Sequence, residues 1–172
     1  MKKLLAVLFF FVSSSVYSQE VVYGPFAGYK TGELSTRSAL STFKTGSSEY
    51  FVSRVAIGNT FRGSYDSLFI VEFGRNMQMV SQHFFFYTGY TLRRNYGTVN
   101  YFDTVSPVKL KPNTRYGVYW VSANPNQGWS FTNSPMRGIS NTGIVFDRNY
   151  VLDYGLTGIS KNLLLILYGV SE

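Results

Sequence analysis

Turn formers cut this chain into short runs, and that punctuation constrains its fold class more than any other feature. Gly58-Asn59, Arg62-Gly63-Ser64, Gly74-Arg75-Asn76, Asn95-Tyr96-Gly97, Pro112-Asn113-Thr114 and Asn124-Pro125-Asn126 tolerate positive φ or hold φ with a ring. The runs between them are short and rich in aromatic residues, which make up 18% of the chain and suit a pleated, half-buried surface. They predict strands at 50–57, 67–73, 80–87, 99–102, 116–123, 128–132, 143–146 and 163–169. No segment shows the period of an amphipathic helix, a heptad or a longer repeat. Many short strands between turns argue for an all-β chain, a single antiparallel β-sandwich of jelly-roll type, rather than βαβ units.

Alternation inside the runs assigns faces. In 67–73, Leu68, Ile70 and Glu72 share one face and Phe69, Val71 and Phe73 the other. Both faces begin apolar, as in a strand from the middle of a packed sheet. In 116–121, Tyr116, Val118 and Trp120 lie opposite Gly117, Tyr119 and Val121, which predicts Trp120 in the core. Leu163 to Tyr168 is too short to span a bilayer and reads as a buried strand. Residues 133–160 are rich in Asn, Ser, Gly and Thr and read as long loops around one strand.

The first residues bear on compartment. Met1-Lys2-Lys3, an apolar run from Leu4 to Val12 and the small residues that follow have the parts of a secretory signal peptide. Val16 and Ser18 suit the −3 and −1 positions, so cleavage is expected before Gln19, with 1–18 as signal and 19–172 as one domain. The expected location is secreted, extracellular or at the cell surface, with the periplasm as the other compartment. The apolar run is far below the roughly 20 residues of a membrane-spanning helix. No cysteine is present, which excludes lipid attachment through one, thiol nucleophiles and thiolate metal sites. Taking Lys2 and Lys3 from the 16 basic residues leaves 14 against 9 acidic ones, a net charge of +5. That charge is dispersed, and a nucleic-acid footprint needs a concentrated basic stripe.

Two segments carry a family likeness. "ALSTFKTGSSEYFVSRVAIG" (39–58) has an aromatic, Phe43, then Thr45-Gly46 and a strand opening near a Ser. "FDTVSPVKLKPNTRYGVYW" (102–120) has a Leu-x-Pro-x-Thr-x-Tyr turn at Leu110, Pro112, Thr114 and Tyr116, then Trp120 and a later Trp129. This pairing resembles the choice-of-anchor domains of exported bacterial proteins. The resemblance covers roughly residues 39–132 and implies an extracellular β-sandwich whose ligand it does not specify. It departs in having Asn113 where the family's turn has Gly, a change open to Asn because Asn also enters the left-handed region. No sorting anchor is expected after Val170-Ser171-Glu172.

Candidate chemistry is sparse. His83 is the only histidine, so sites needing two are excluded, and it reads as structural or surface. Gly128-Trp129-Ser130-Phe131-Thr132 lacks the second Gly of a nucleophile elbow. The acids show no local pattern of a glycosidase pair. Glu72, on an apolar strand, is expected at an edge or in a salt bridge with Arg54 or Arg75. Asp147, Asp153 and Asn149 could offer oxygen ligands to calcium, though without the spacing of the twelve-residue loop. Gly24 to Thr31 lacks the Gly immediately before Lys that a phosphate loop requires. The chain is therefore read as a non-enzyme without a cofactor, its metal content left open.

What remains is binding. Trp129 follows the amide-rich loop containing Asn126 and Gln127, and an aromatic ring beside amides has the ingredients for stacking on a sugar. Tyr87, Tyr90 and Arg93, in "YTGYTLRR", could add a basic aromatic rim. The expected function is a secreted binding module for a glycan or cell-envelope polymer. The alternative is a structural or adhesive protein that assembles with a protein partner through a flat apolar patch or an open strand edge.

Overall fold

The computed structural model describes residues 20–23, 32–59, 66–93, 97–123, 128–132, 143–152, 156–160 and 162–171. Among them the chain forms β1 (Glu20–Tyr23), β2 (Gly32–Ser35), β3 (Ser38–Lys44), β4 (Tyr50–Asn59), β5 (Ser67–Phe73), β6 (Met79–Arg93) and β7 (Gly97–Leu110). Then follow β8 (Arg115–Val121), β9 (Gly128–Thr132), β10 (Val145–Val151), β11 (Thr157–Ile159), β12 (Asn162–Leu163) and β13 (Leu165–Ser171). The all-β reading holds and every pairing among the described residues is antiparallel, but the strands join in one curled sheet rather than the two separate sheets of the expected jelly-roll sandwich. The described residues include no helix long and apolar enough to cross a membrane.

The architecture is one continuous sheet curled into a half-barrel, in the order β1-β13-β4-β7-β6-β5-β8-β3-β10-β11, with β9 joining β4, β2 and β12 at its side. The long strand β6 makes the curl. Its residues 79–85 pair with β5, and its residues 86–93 pair with β7. One half-sheet therefore runs from β1 to the second part of β6, the other from the first part of β6 to β11. A β-bulge at Tyr87/Gly89, where Gly89 has φ 151°, lies just beyond the change of partner.

The core fills the inside of the curl. Val52, Val55, Ile57, Phe102 and Leu110 come from one half-sheet, and Ala39, Phe43, Leu68, Ile70, Val118 and Trp120 from the other. The faces expected for β5 and β8 are those observed: Leu68, Ile70, Tyr116, Val118 and Trp120 are buried inward. β5 sits between β6 and β8, in mid-sheet as its two apolar faces require. The described residues of the segment 133–160 include two strands, β10 and β11, where one was expected. β3 is the largest element absent from the expected set. It is sheathed by β8 and β10 and alternates Ala39, Ser41, Phe43 inward with Leu40, Thr42 outward.

The two segments that carried the family likeness meet in space. Thr45 Oγ1 donates to Lys111 O (2.6 Å) and accepts from Thr114 N (2.9 Å), while Asn113 N donates to Gly46 O (2.7 Å). Asn113 has φ 51°, the left-handed value the turn demands. Tyr116 folds its hydroxyl back to accept from Lys111 N at 2.9 Å, a tyrosine corner of the kind that pins β-sandwich turns.

Candidate functional site

Trp129 is not on the surface. It is fully buried in β9, its ring meets Trp120 edge-on at 6.1 Å and its Nε1 donates to Leu164 O at 2.8 Å. The donor needs a partner once buried, and the β12–β13 junction supplies it. The correction follows from pairing: β9 is held by β2, β4 and β12, which turns its first residues inward rather than leaving them at a loop rim. Trp120 is likewise buried, its Nε1 donating to the buried carboxylate of Asp66 at 3.1 Å beside Ser122 Oγ at 2.9 Å. Asn126 and Gln127 lie outside the described residues.

The other expected rim residues separate along β6. Tyr87 faces the core, edge-on to Phe102 at 5.8 Å. Tyr90 is 39% exposed near the strand's far end. Arg93 ends β6, paired in register with Gly97. All three stand on the second part of β6.

The acids are occupied elsewhere. Glu72 binds neither Arg54 nor Arg75 but Lys111 Nζ, at 2.9 and 3.0 Å, because its inward face meets the turn after β7. Arg54 is taken by Asp103 through two bonds of 2.6 and 2.9 Å. Asp147 pairs with Arg115 (3.0 Å) at a bulge of β10 and Asn149 is fully buried, so the two do not converge on an ion. Asp153 lies outside the described residues. Among the described residues no cluster of His, Asp and Glu could hold a metal. His83 is exposed on β6.

The outer face of the second half-sheet carries the feature that the sequence reading missed. An open pocket of about 260 Å³ lies over β3, β5 and β8. Leu40, Val71, Phe73 and Tyr119 line its sheet side; Met77 and Met79 stand at one end, and Leu152 and Leu156 come across from beyond β10. Its walls are almost entirely carbon. The alternation that buries Ile70 and Val118 inward leaves these residues pointing out. No acid of the described residues lines it.

Two backbone details shape this trough. Gly117 lies beneath it, and a Cβ there would meet Leu40 Cδ1 at 2.6 Å and Phe73 Cε2 at 2.9 Å. Its lack of a side chain lets those two groups close over β8. The β5–β6 hairpin turns through Asn76 (φ 57°, ψ 30°) and Met77 (φ 59°), with Gln78 N donating to Arg75 O at 3.3 Å. Hairpins of this geometry favour Asn-Gly. Methionine in the second place accepts a left-handed conformation costing about 1–2 kcal/mol, and its sulfur meets Arg115 Nη1 at 3.8 Å. Apolar surface continues from the trough along β5 and β6, where Phe69 lies 5.4 Å from Phe84 and 6.2 Å from Tyr119.

No protein-family model matches the chain, and no curated protein is similar to it. The site stands on its geometry alone.

Proposed function

We propose that this is an exported, non-catalytic docking protein that receives an apolar segment of a protein partner in the trough over β3, β5 and β8. The observation that carries the reading is the apolar-lined trough on the outer face of the sheet, with Met79 and Leu156 more than half exposed at its margins. Soluble proteins seldom leave contiguous apolar surface uncovered without a partner for it. The glycan reading drew its support from the Trp129 ring, and that ring is in the core. A sugar also needs several hydrogen-bonding partners, and a wall of Leu, Val, Phe and Met with the single hydroxyl of Tyr119 offers few. Export is read from the basic and apolar start of the chain and its small residues before Gln19.

The test is one panel holding both immobilised glycans and aliphatic-rich peptides, read with the 19–172 chain and with Met79→Lys. Peptide binding that falls at least about tenfold in folded Met79→Lys, a loss of about 1.4 kcal/mol, supports docking in the trough. Glycan binding untouched by Met79→Lys and lost in Tyr90→Ala would return the function to polysaccharide recognition along β6.

A further inference from the structure

Independently of the trough, which is a sheet face, the curl leaves an unusual sheet edge. Because β6 changes partner in mid-strand, its residues 79–85 have β5 on one side and, among the described residues, no strand on the other. An open edge presents backbone donors and acceptors to any extended chain, and proteins ordinarily blunt it with charge, proline, a bulge or shortness.

The other edges of this sheet are blunted in those ways. β1 has 4 residues and β11 has 3. β7 bulges where residues 104–107 stand against Ser53 alone, placing Pro107 in the bulge and Val105 at 92% exposure. β6 has no such protection over its first part. From 77 to 92 there is no Lys, Arg, Asp, Glu or Pro. Met79, Val80 and Phe84 are each more than half exposed. The bulge of this first part lies at the hairpin end, between the pairs Glu72–Ser81 and Phe73–Met79, leaving 81–85 in regular register with β5.

We propose that this edge pairs with the same edge of a second copy of the chain, antiparallel about a two-fold axis at Gln82. That register sets Val80 against Phe84 of the other copy, Ser81 against His83, and Gln82 against itself. Hydroxyl meets imidazole and amide meets amide on matching faces of the pleat, and Val80, in the bulge, adds an apolar neighbour for Phe84. Moving the axis to His83 would set Gln82 against Phe84 and one imidazole against another, a poorer match on both faces. The charge pattern favours a second copy in particular. Two positively charged chains repel, and an interface between them survives only where like charges do not meet; the first part of β6 carries no Lys or Arg, the one Arg of the strand standing at its far end, Arg93. The arrangement joins β5-β6 of one copy to β6-β5 of the other in one sheet, an isologous contact of the commonest oligomer type.

Sedimentation of the 19–172 chain over a concentration series reads the assembly, and Gln82→Cys reads the register, since the chain has no other cysteine. A dimer that Gln82→Lys weakens at least about tenfold, by placing two ammonium groups on the axis, with unchanged circular dichroism, is the expected result. Gln82→Cys should then form a disulfide-linked dimer under mild oxidation far faster than Ser106→Cys on the β7 bulge. A monomer up to about 1 mM, the limit of weak association, overturns the proposal. So does a dimer indifferent to Gln82→Lys, or cross-linking no faster at 82 than at 106. Pairing of this edge with foreign peptides but not with itself would also overturn it, in favour of a heterologous strand. None of these results depends on whether a peptide occupies the trough.

Discussion

The two half-sheets share one core and treat their outer faces differently. On the first, Ala56, Val99 and Ile166 point outward yet are buried, because Tyr101 and Tyr168 pack across them. Arg54 stands 5.7 Å over the Tyr101 ring while holding Asp103, and the Tyr101 hydroxyl meets Thr91 Oγ1 at 3.1 Å. Apolar surface there is roofed by the chain's own amphipathic side chains, whose polar tips stay wet. On the second, Leu40 and Val71 are just as buried, but Phe73 and Tyr119 beside them stay partly exposed along an open trough. Alternation decides which residues point outward. Whether they are covered depends on which neighbours across the sheet can reach them.

The comparison breaks most completely where the halves are joined. Trp129 and Trp120 meet edge-on inside the curl, so Trp129→Ala should destabilise the protein by about 3–5 kcal/mol in chemical unfolding. The loss should also quench cooperativity between the halves' signals. A loss below about 1 kcal/mol would mean that β9 is an appendage and the two half-sheets have separate cores.

Next in size is the tyrosine corner at the join of β7 and β8. Burial, with the Glu72 charge adding to it, pushes the Tyr116 hydroxyl up to about 12, against a smaller opposing effect of its bond from Lys111 N. The folded value lies above the ordinary 10, so the native state keeps this proton longer than the unfolded chain. Its contribution is whole below pH 10 and is lost as pH rises from 10 through 12. Two units correspond to about 2–3 kcal/mol. Tyr116→Phe should flatten the decline of stability over that window while lowering stability near neutrality by about 1 kcal/mol for the lost hydrogen bond. An unchanged alkaline limb would assign the decline to other groups.

Smaller still is the roof of the first half-sheet. Arg54→Met keeps the stem over Tyr101 and removes the charge. The pair is partly exposed, so the expected loss is about 0.5–1 kcal/mol, with peptide binding at the trough unchanged. The complementary change, Tyr119→Asp in the second half-sheet, should cost about 1–2 kcal/mol of stability through the lost stacking on Phe69 and abolish that binding. If Arg54→Met weakened binding as much, the two outer faces would not be independent.

How far the sequence could show this depends on whether the signal was local. β5 and β8 were legible because their alternation is unbroken and both faces are apolar. Asn113 was legible because its turn needs a left-handed residue. β3 was not: Ser38, Ser41 and Thr42 dilute its apolar period, and they are buried only because β8 and β10 flank it, with Thr42 Oγ1 donating to Arg148 O at 2.8 Å across the β10 bulge. Trp129 misled for the reverse reason. Its local setting is an amide-rich loop, and what buries it is pairing with segments about 70 residues upstream and 35 downstream, β4 and β12. The trough draws on β3, β5, β8 and the segment after β10, so no window of sequence contains it. Its one local trace is a methionine where a hairpin prefers glycine.

That methionine gives the smallest effect and the sharpest separation of stability from function. In Met77→Gly the left-handed strain of about 1 kcal/mol is relieved. Part of the gain is returned through the freer unfolded chain, so a net stabilisation of about 0.5 kcal/mol is expected in the unfolding midpoint. The same change removes the side chain at one end of the trough and the sulfur that Arg115 meets, leaving Arg115 to Asp147 alone. Peptide binding should therefore weaken although the fold is firmer. Strain retained against stability is expected of a residue kept for what it touches. If Met77→Gly instead destabilised the hairpin and left binding intact, Met77 would be ordinary packing, and the trough would be defined by its sheet side rather than its end.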